Sequence, residues 1–163
     1  MAKSPARGGK RPGDRDITRN REASFRYELL DTLECGMQLT GTEVKALRDG
    51  GAHLRDAYAI MRGGELWLVG GHIPPYGNAS RWNHPPDRDR KLLAHRRQID
   101  KLAGQLQTKG LTIVPTRMYF NDESRVKIEI ALARGKDRYD KRQAIKDRDM
   151  ARDVQREIRA VQR

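Results

Sequence analysis

The last 29 residues of this chain, from Gly135 to Arg163, cannot belong to a packed core. They hold ten Lys or Arg and six Asp or Glu. Their large apolar residues are only Tyr139, Ile145, Met150, Val154, Ile158 and Val161. Such a segment buries too little apolar surface to offset the entropy of ordering it. Whatever folds here must be built from what precedes Gly135.

The opposite end is similar. Residues 1–21 carry seven basic and two acidic residues, a net +5. Residues 22–134 carry seventeen and fourteen, a net +3, and residues 135–163 a net +4. The two ends therefore hold +9 of the chain's +12. A near-neutral body with basic arms is the electrostatic outline of a nucleic-acid binder. The alternative is a pair of solvated tails that serve solubility.

The single cysteine, Cys35, excludes an internal disulfide and argues against a cysteine-based zinc site. It fits a reducing compartment. No apolar run approaches the roughly 20 residues of a membrane span, and the basic N-terminus lacks the apolar segment of a secretory signal. These features predict a cytoplasmic protein.

Three regions follow: a flexible basic arm over 1–19, a folded domain over 20–134, and a basic tail over 135–163. In the domain, "SFRYELLDTLE" alternates apolar and polar residues from Phe25 and predicts a half-buried strand. "GTEVKALRDGG" predicts a short helix, with Thr42 as its N-cap and Gly50-Gly51 as its stop. "AYAIM" and "ELWLV" are strands joined at Arg62-Gly63-Gly64. The proline-rich residues 72–87 form a loop. Asp87 or Asp89 then caps a helix with the stripe Leu92, Ile99, Leu102 and Leu106. "LTIVPTRMYF" and "RVKIEIALA" are two further strands, and Pro115 marks the first as an edge or a bulge. Short connections favour antiparallel pairing. The expected fold is mainly β, a small antiparallel barrel with about three flanking helices; an open α+β sandwich is the alternative.

Nothing in the sequence argues for an enzyme. His53, His72, His84 and His95 form no metal or catalytic motif. There is no nucleophile elbow and no phosphate-binding loop. A nuclease using His84 or His95 is a distant alternative. Binding is better supported. Arg88, Arg90, Lys91, Arg96 and Arg97 cluster at the expected helix start, and as a group they suit phosphate. Tyr58, Trp67, Tyr76, Trp82 and Tyr119 are candidates to stack on bases, although most also suit the core or its rim. Glu34 and Glu43 could accept hydrogen bonds from RNA, and Glu43 also suits a first helical turn.

Four stretches in series, "NREASFRYELLDTLECGMQLTGTEVKALRDG", "HIPPYGNASRWNHPPDRDRKLLAH", "KGLTIVPTRMYF" and "LARGKDRYDKR", closely resemble the small protein B family of bacterial tmRNA-binding proteins. The resemblance runs from about Asn20 to the C-terminus. Ala46, Ala94 and Tyr139 depart from the residues frequent in the family. The resemblance implies an oligonucleotide-binding-type barrel without enzymatic activity or cofactor. It implies binding to the tRNA-like end of tmRNA (SsrA RNA) and, with elongation factor Tu and alanyl-tmRNA, delivery to stalled ribosomes. It places tmRNA contacts at Asn20, Arg21, Glu34, Lys91 and Leu93, and less firmly at Tyr58, Arg90 and Lys127. It places decoding-centre contacts to small-subunit rRNA at Gly135, Lys136, Asp140, Lys141 and Arg142, with Ile158 further along the tail. The expected unit is a monomer. A general RNA-binding barrel without preference for tmRNA is the rival reading.

The tail then acquires a role. Met150, Val154, Ile158 and Val161 recur every three or four residues, a stripe too thin to hold a helix alone. Asp149 with Arg152 and Asp153 with Arg156 could add a few tenths of a kcal/mol each. The sequence predicts a tail disordered in solution and helical on the ribosome. Residues 145–162 would form a rod of about 25 Å, suited to an mRNA channel with no message in it.

Overall fold

The computed structural model describes residues 14–79 and 81–161. Most of the expected arm, residues 1–13, lies outside them. Arg15–Arg19, assigned to that arm by the sequence, is strand β1. Seven strands and four helices follow in the order β1, α1 (Ala23–Arg26), β2 (Tyr27–Met37), α2 (Gly41–Arg48), β3 (Tyr58–Arg62), β4 (Glu65–Val69), β5 (Arg90–Leu93), α3 (Arg96–Leu106), β6 (Leu111–Phe120), β7 (Val126–Gly135) and α4 (Arg138–Val161).

The strands form one sheet in the order β1-β6-β3-β4-β5-β2-β7, and a further β6–β7 pairing closes it into a ring. Every strand pairing is antiparallel. Strand β6 makes this closure possible because it serves three partners. Its outer edge takes β1 at Arg117–Phe120 and β3 at Ile113, while its other edge runs along β7. The division falls at a bulge between Pro115 and Arg117. Proline has no N–H to give to a ladder, so the break sits where the ladder is weakest. The proline marks a bulge rather than an edge.

The alternation in β7 is realised as expected. Ile128, Ile130 and Leu132 face the ring interior with Leu66, Leu68, Leu92, Ile113 and Met118, all nearly solvent-free. Full burial of each such side chain stabilises the fold by about 1.5–3 kcal/mol. Gly63 and Gly64, at φ 59° and 74°, make the tight turn between β3 and β4, which a residue with a Cβ would strain.

Three local expectations are corrected. Phe25 and Arg26 do not begin a strand; they complete the single turn of α1. Helix α2 is capped by Thr40, whose N–H donates to Glu43 Oε2 at 2.8 Å, and not by Thr42. Arg90–Leu93 is a strand between β4 and β2, and α3 starts only at Arg96 behind His95. The stripe that seemed to join Leu92 to Ile99, Leu102 and Leu106 therefore spans two elements. Ring closure needed a strand there, and its cross-strand pairing overrode local periodicity.

The tail, expected to be helical on the ribosome, is described as helix α4 over 24 residues. No Gly or Pro interrupts it after Gly135, and most of its residues are good helix formers. At that length a helix can hold where a shorter one would fray. Gln143 donates to Asp147 at 3.0 Å, and the expected Asp153–Arg156 pair forms at 3.6 Å. Among the described residues the helix meets the barrel at α1, with Arg148 over the Phe25 ring at 5.3 Å. Ile145, Met150, Val154 and Ile158 are exposed, so the stripe is uncovered among the described side chains, which do not include Val161.

Candidate nucleic-acid interface

Two of the charged residues considered for RNA contact turn inward. Glu43 is fully buried in the first turn of α2. Its Oε1 accepts from Arg88 Nε at 2.7 Å and Arg90 Nε at 2.9 Å, and its Oε2 from Arg88 Nη2 at 2.7 Å. Burial alone would raise the Glu43 pKa; the bonds from Arg88, Thr40 and Arg90 outweigh it and hold the carboxyl below its ordinary value. Arg90 is 1% exposed and also donates to the carbonyls of Gly71, Arg88 and Pro86. Burial pulls its pKa below the ordinary value, against the pull of Glu43. Its guanidinium is therefore not available to RNA. It fixes the loop between β4 and β5.

The groove that remains is built on the outer face of β2, β7 and the segment after β5. Glu34 sits opposite Glu129, and Lys127 opposite Gly36. Leu93 pairs with Gly36 from the other side and is 49% exposed. Glu34, Leu93 and Lys127 thus line one concavity of about 480 Å³, with His95 and Gln98 from the start of α3. Leu93 and Lys127 also line the adjoining hollow, with Arg125 and Val44. A carboxylate, an ammonium and an exposed apolar side chain in one open groove can accept from base amino or ribose hydroxyl groups, pair with phosphate and pack on a base face.

Asn20 and Tyr58 belong to a second hollow of about 330 Å³, with Glu22, Arg26 and Asp56. The Asn20 side chain donates to the carbonyls of Leu54 at 3.3 Å and Pro115 at 3.1 Å, stitching the β6 bulge. Tyr58 is 44% exposed, and Arg21, next to Asn20 in sequence, is exposed. Lys91 is half-buried on β5, opposite Trp67, and paired with Glu65. Of the aromatic candidates, Trp82 is the most exposed, while Tyr119 is buried. His84 gives the nuclease reading no support. Its Nε2 donates to the Ile73 carbonyl at 3.0 Å, which leaves Nδ1 to accept from the Thr42 hydroxyl at 2.9 Å.

At the root of the tail, Gly135 is the last β7 residue and pairs with Tyr27. Lys136 donates its backbone N–H to the Arg26 carbonyl at 3.0 Å and its Nζ to the Ser24 carbonyl at 2.9 Å. Arg142 and Ile158 are exposed on α4. Asp140 and Lys141 lie on the same helix, and their side chains fall outside the described part.

Sequence reasoning missed what lies beneath Glu34. The Tyr119 hydroxyl donates to Glu34 Oε2 across 85 positions of sequence. Arg117 Cζ lies 3.9 Å above the Tyr119 ring, and Arg117 Nη2 is 2.8 Å from Asp14 Oδ2. Burial, and then the bond to Glu34, push the Tyr119 pKa up. No local pattern links these residues.

The sequence matches the family described as SmpB protein over residues 17–160. An SsrA-binding protein of Synechococcus sp. (strain JA-3-3Ab) is 51% identical, covering 91% of this chain and 96% of that protein. Another, of Corynebacterium urealyticum (strain ATCC 43042 / DSM 7109), is 54% identical over 95% and 85%. A solved chain from work on tmRNA-SmpB in the bacterial ribosome superposes with a TM-score of 0.64 and 42% identity, covering 78% of this chain and 93% of that one. The match over most of the chain and relatives at about half identity give the conclusion: this chain is a member of the SmpB family.

Proposed function

We propose that this protein binds the tRNA-like domain of tmRNA and delivers it to stalled ribosomes, where helix α4 probes the decoding centre and the vacant mRNA channel. The nascent chain would then be tagged and the ribosome released. One observation carries the reading. Glu34, Leu93 and Lys127 come from three separate strands and meet in one open groove, in a chain whose relatives are SsrA-binding proteins. The hollow at Asn20 and Tyr58 gives a second contact, with Arg21 beside it. Arg90 acts from inside, by holding the loop before β5.

The partners are tmRNA, the ribosome with its small-subunit rRNA, and elongation factor Tu carrying alanyl-tmRNA. The protein acts as a monomer in the cytoplasm, with neither cofactor nor catalytic step. Among the described residues no helix is long and apolar enough to cross a membrane.

Competition between tmRNA and ordinary tRNA for the purified protein tests this. A clear preference for tmRNA, weakening steeply with salt, is expected. Equal competition would favour a general RNA-binding barrel, and cleavage of labelled RNA would revive the nuclease reading.

A further inference from the structure

We infer that Tyr119 is a positioning residue for Glu34, with Arg117 and Asp14 as its support, and that this relay presets one carboxylate for an RNA hydrogen-bond donor. The inference rests on Glu34 contacting RNA, as proposed above.

An exposed glutamate on a strand ordinarily samples several rotamers, and ordering it on binding opposes affinity. Here one oxygen is already committed. Tyr119 is 3% exposed and its hydroxyl donates to Glu34 Oε2. Glu34 Oε1 has no partner among the described residues and belongs to a side chain lining the open groove. A base amino group or a ribose hydroxyl is the chemistry that fits it.

The ring is itself held. The Arg117 guanidinium stacks at 3.9 Å over it, Arg117 is 6% exposed, and Asp14 is within 2.8 Å of Arg117. Asp14 precedes β1, so the start of the described chain is tied to the RNA-facing groove. Tyr119 and Lys127 occupy paired positions on β6 and β7, and Lys127 lines the same groove as Glu34. Glu34 therefore needs little reorganisation to bind.

The test is a double-mutant cycle read by tmRNA affinity, with the thermal midpoint of each protein as a folding control. Tyr119→Phe keeps the ring and removes only the donor. It should weaken tmRNA binding about tenfold and leave the midpoint nearly unchanged. In a Glu34→Ala background the same change should do nothing. Arg117→Gln, which loosens the ring, should weaken binding about threefold and also fall silent in that background. Full affinity in Tyr119→Phe alongside a loss in Glu34→Ala overturns the inference and leaves the functional reading intact. Equal losses from Tyr119→Phe in both backgrounds overturn it too, because Tyr119 would then act by another route. A silent Glu34→Ala overturns the reading of Glu34 and this inference with it.

Discussion

The Glu43 cluster and helix α4 use the same residue types for opposite ends. In the cluster, one carboxylate with no exposed surface takes bonds from two arginines and a backbone N–H, all within 2.9 Å. In α4, Arg156 and Asp153 stand 3.6 Å apart with 81% and 69% of their side chains exposed. Burial makes the first arrangement rigid and intolerant of a missing partner. Solvent makes the second nearly free of consequence for stability and leaves its charge open to a new partner. The barrel spends charge on shape, whereas the tail presents it.

The sharpest break of this comparison is Glu43→Ala. It strands the Arg90 guanidinium in the interior and should destabilise the barrel by about 3–5 kcal/mol, measured by denaturant unfolding. A loss below 1 kcal/mol would mean the cluster is not the rigid element argued here. Acid should act on the same group. The folded pKa of Glu43 is depressed, so its contribution is complete above its unfolded value of about 4.3 and is lost as pH falls through the lower folded value. Unfolding midpoints between pH 6 and pH 2.5 would follow this, and deleting the tail should leave the profile's shape unchanged.

Ending the chain at Asp137 removes α4 and lowers the net charge by four, from +12 to +8. This cut spares Gly135 and Lys136, which bond to Tyr27 and Arg26; a chain ending at Ala133 would lose those anchors. The shortened protein should fold and keep tmRNA affinity within about threefold. Tagging on stalled ribosomes should drop to background. Loss of tmRNA binding would show that the two regions are not separable.

Smaller effects sharpen the boundary. Phe25→Ala removes the ring under Arg148 and should loosen the docking of α4 on α1 by about 0.5–1 kcal/mol, seen as faster amide exchange near Arg148. Arg156→Ala should change unfolding stability by less than about 0.5 kcal/mol. A large loss there would mean that the tail charges are structural after all.

Strands β3, β4, β6 and β7 and the β3–β4 turn were legible because each is a local pattern: alternating residues, a Gly-Gly pair, a proline at a bulge. Strand β1 was not, because its polar "RDITR" acquires meaning only beside β6. Strand β5 was misread for the same kind of reason. "RKLL" looks like the start of the following helix until β4 and β2 flank it. The groove residues Glu34, Leu93 and Lys127 were expected through a family resemblance, and Arg90, expected alongside them, proved to be interior.

The sequence by itself determined that the ends carry the charge, that a β-rich body lies between them and that the C-terminal segment has no core to join. Charge content and side-chain alternation are written residue by residue and need no partner. The tertiary structure alone decided which charges vanish inside, that Glu43 faces two arginines and that Tyr119 lies under Glu34. Those facts depend on ring closure, which brings together residues far apart in the chain, and a pairing at such separation has no local signature.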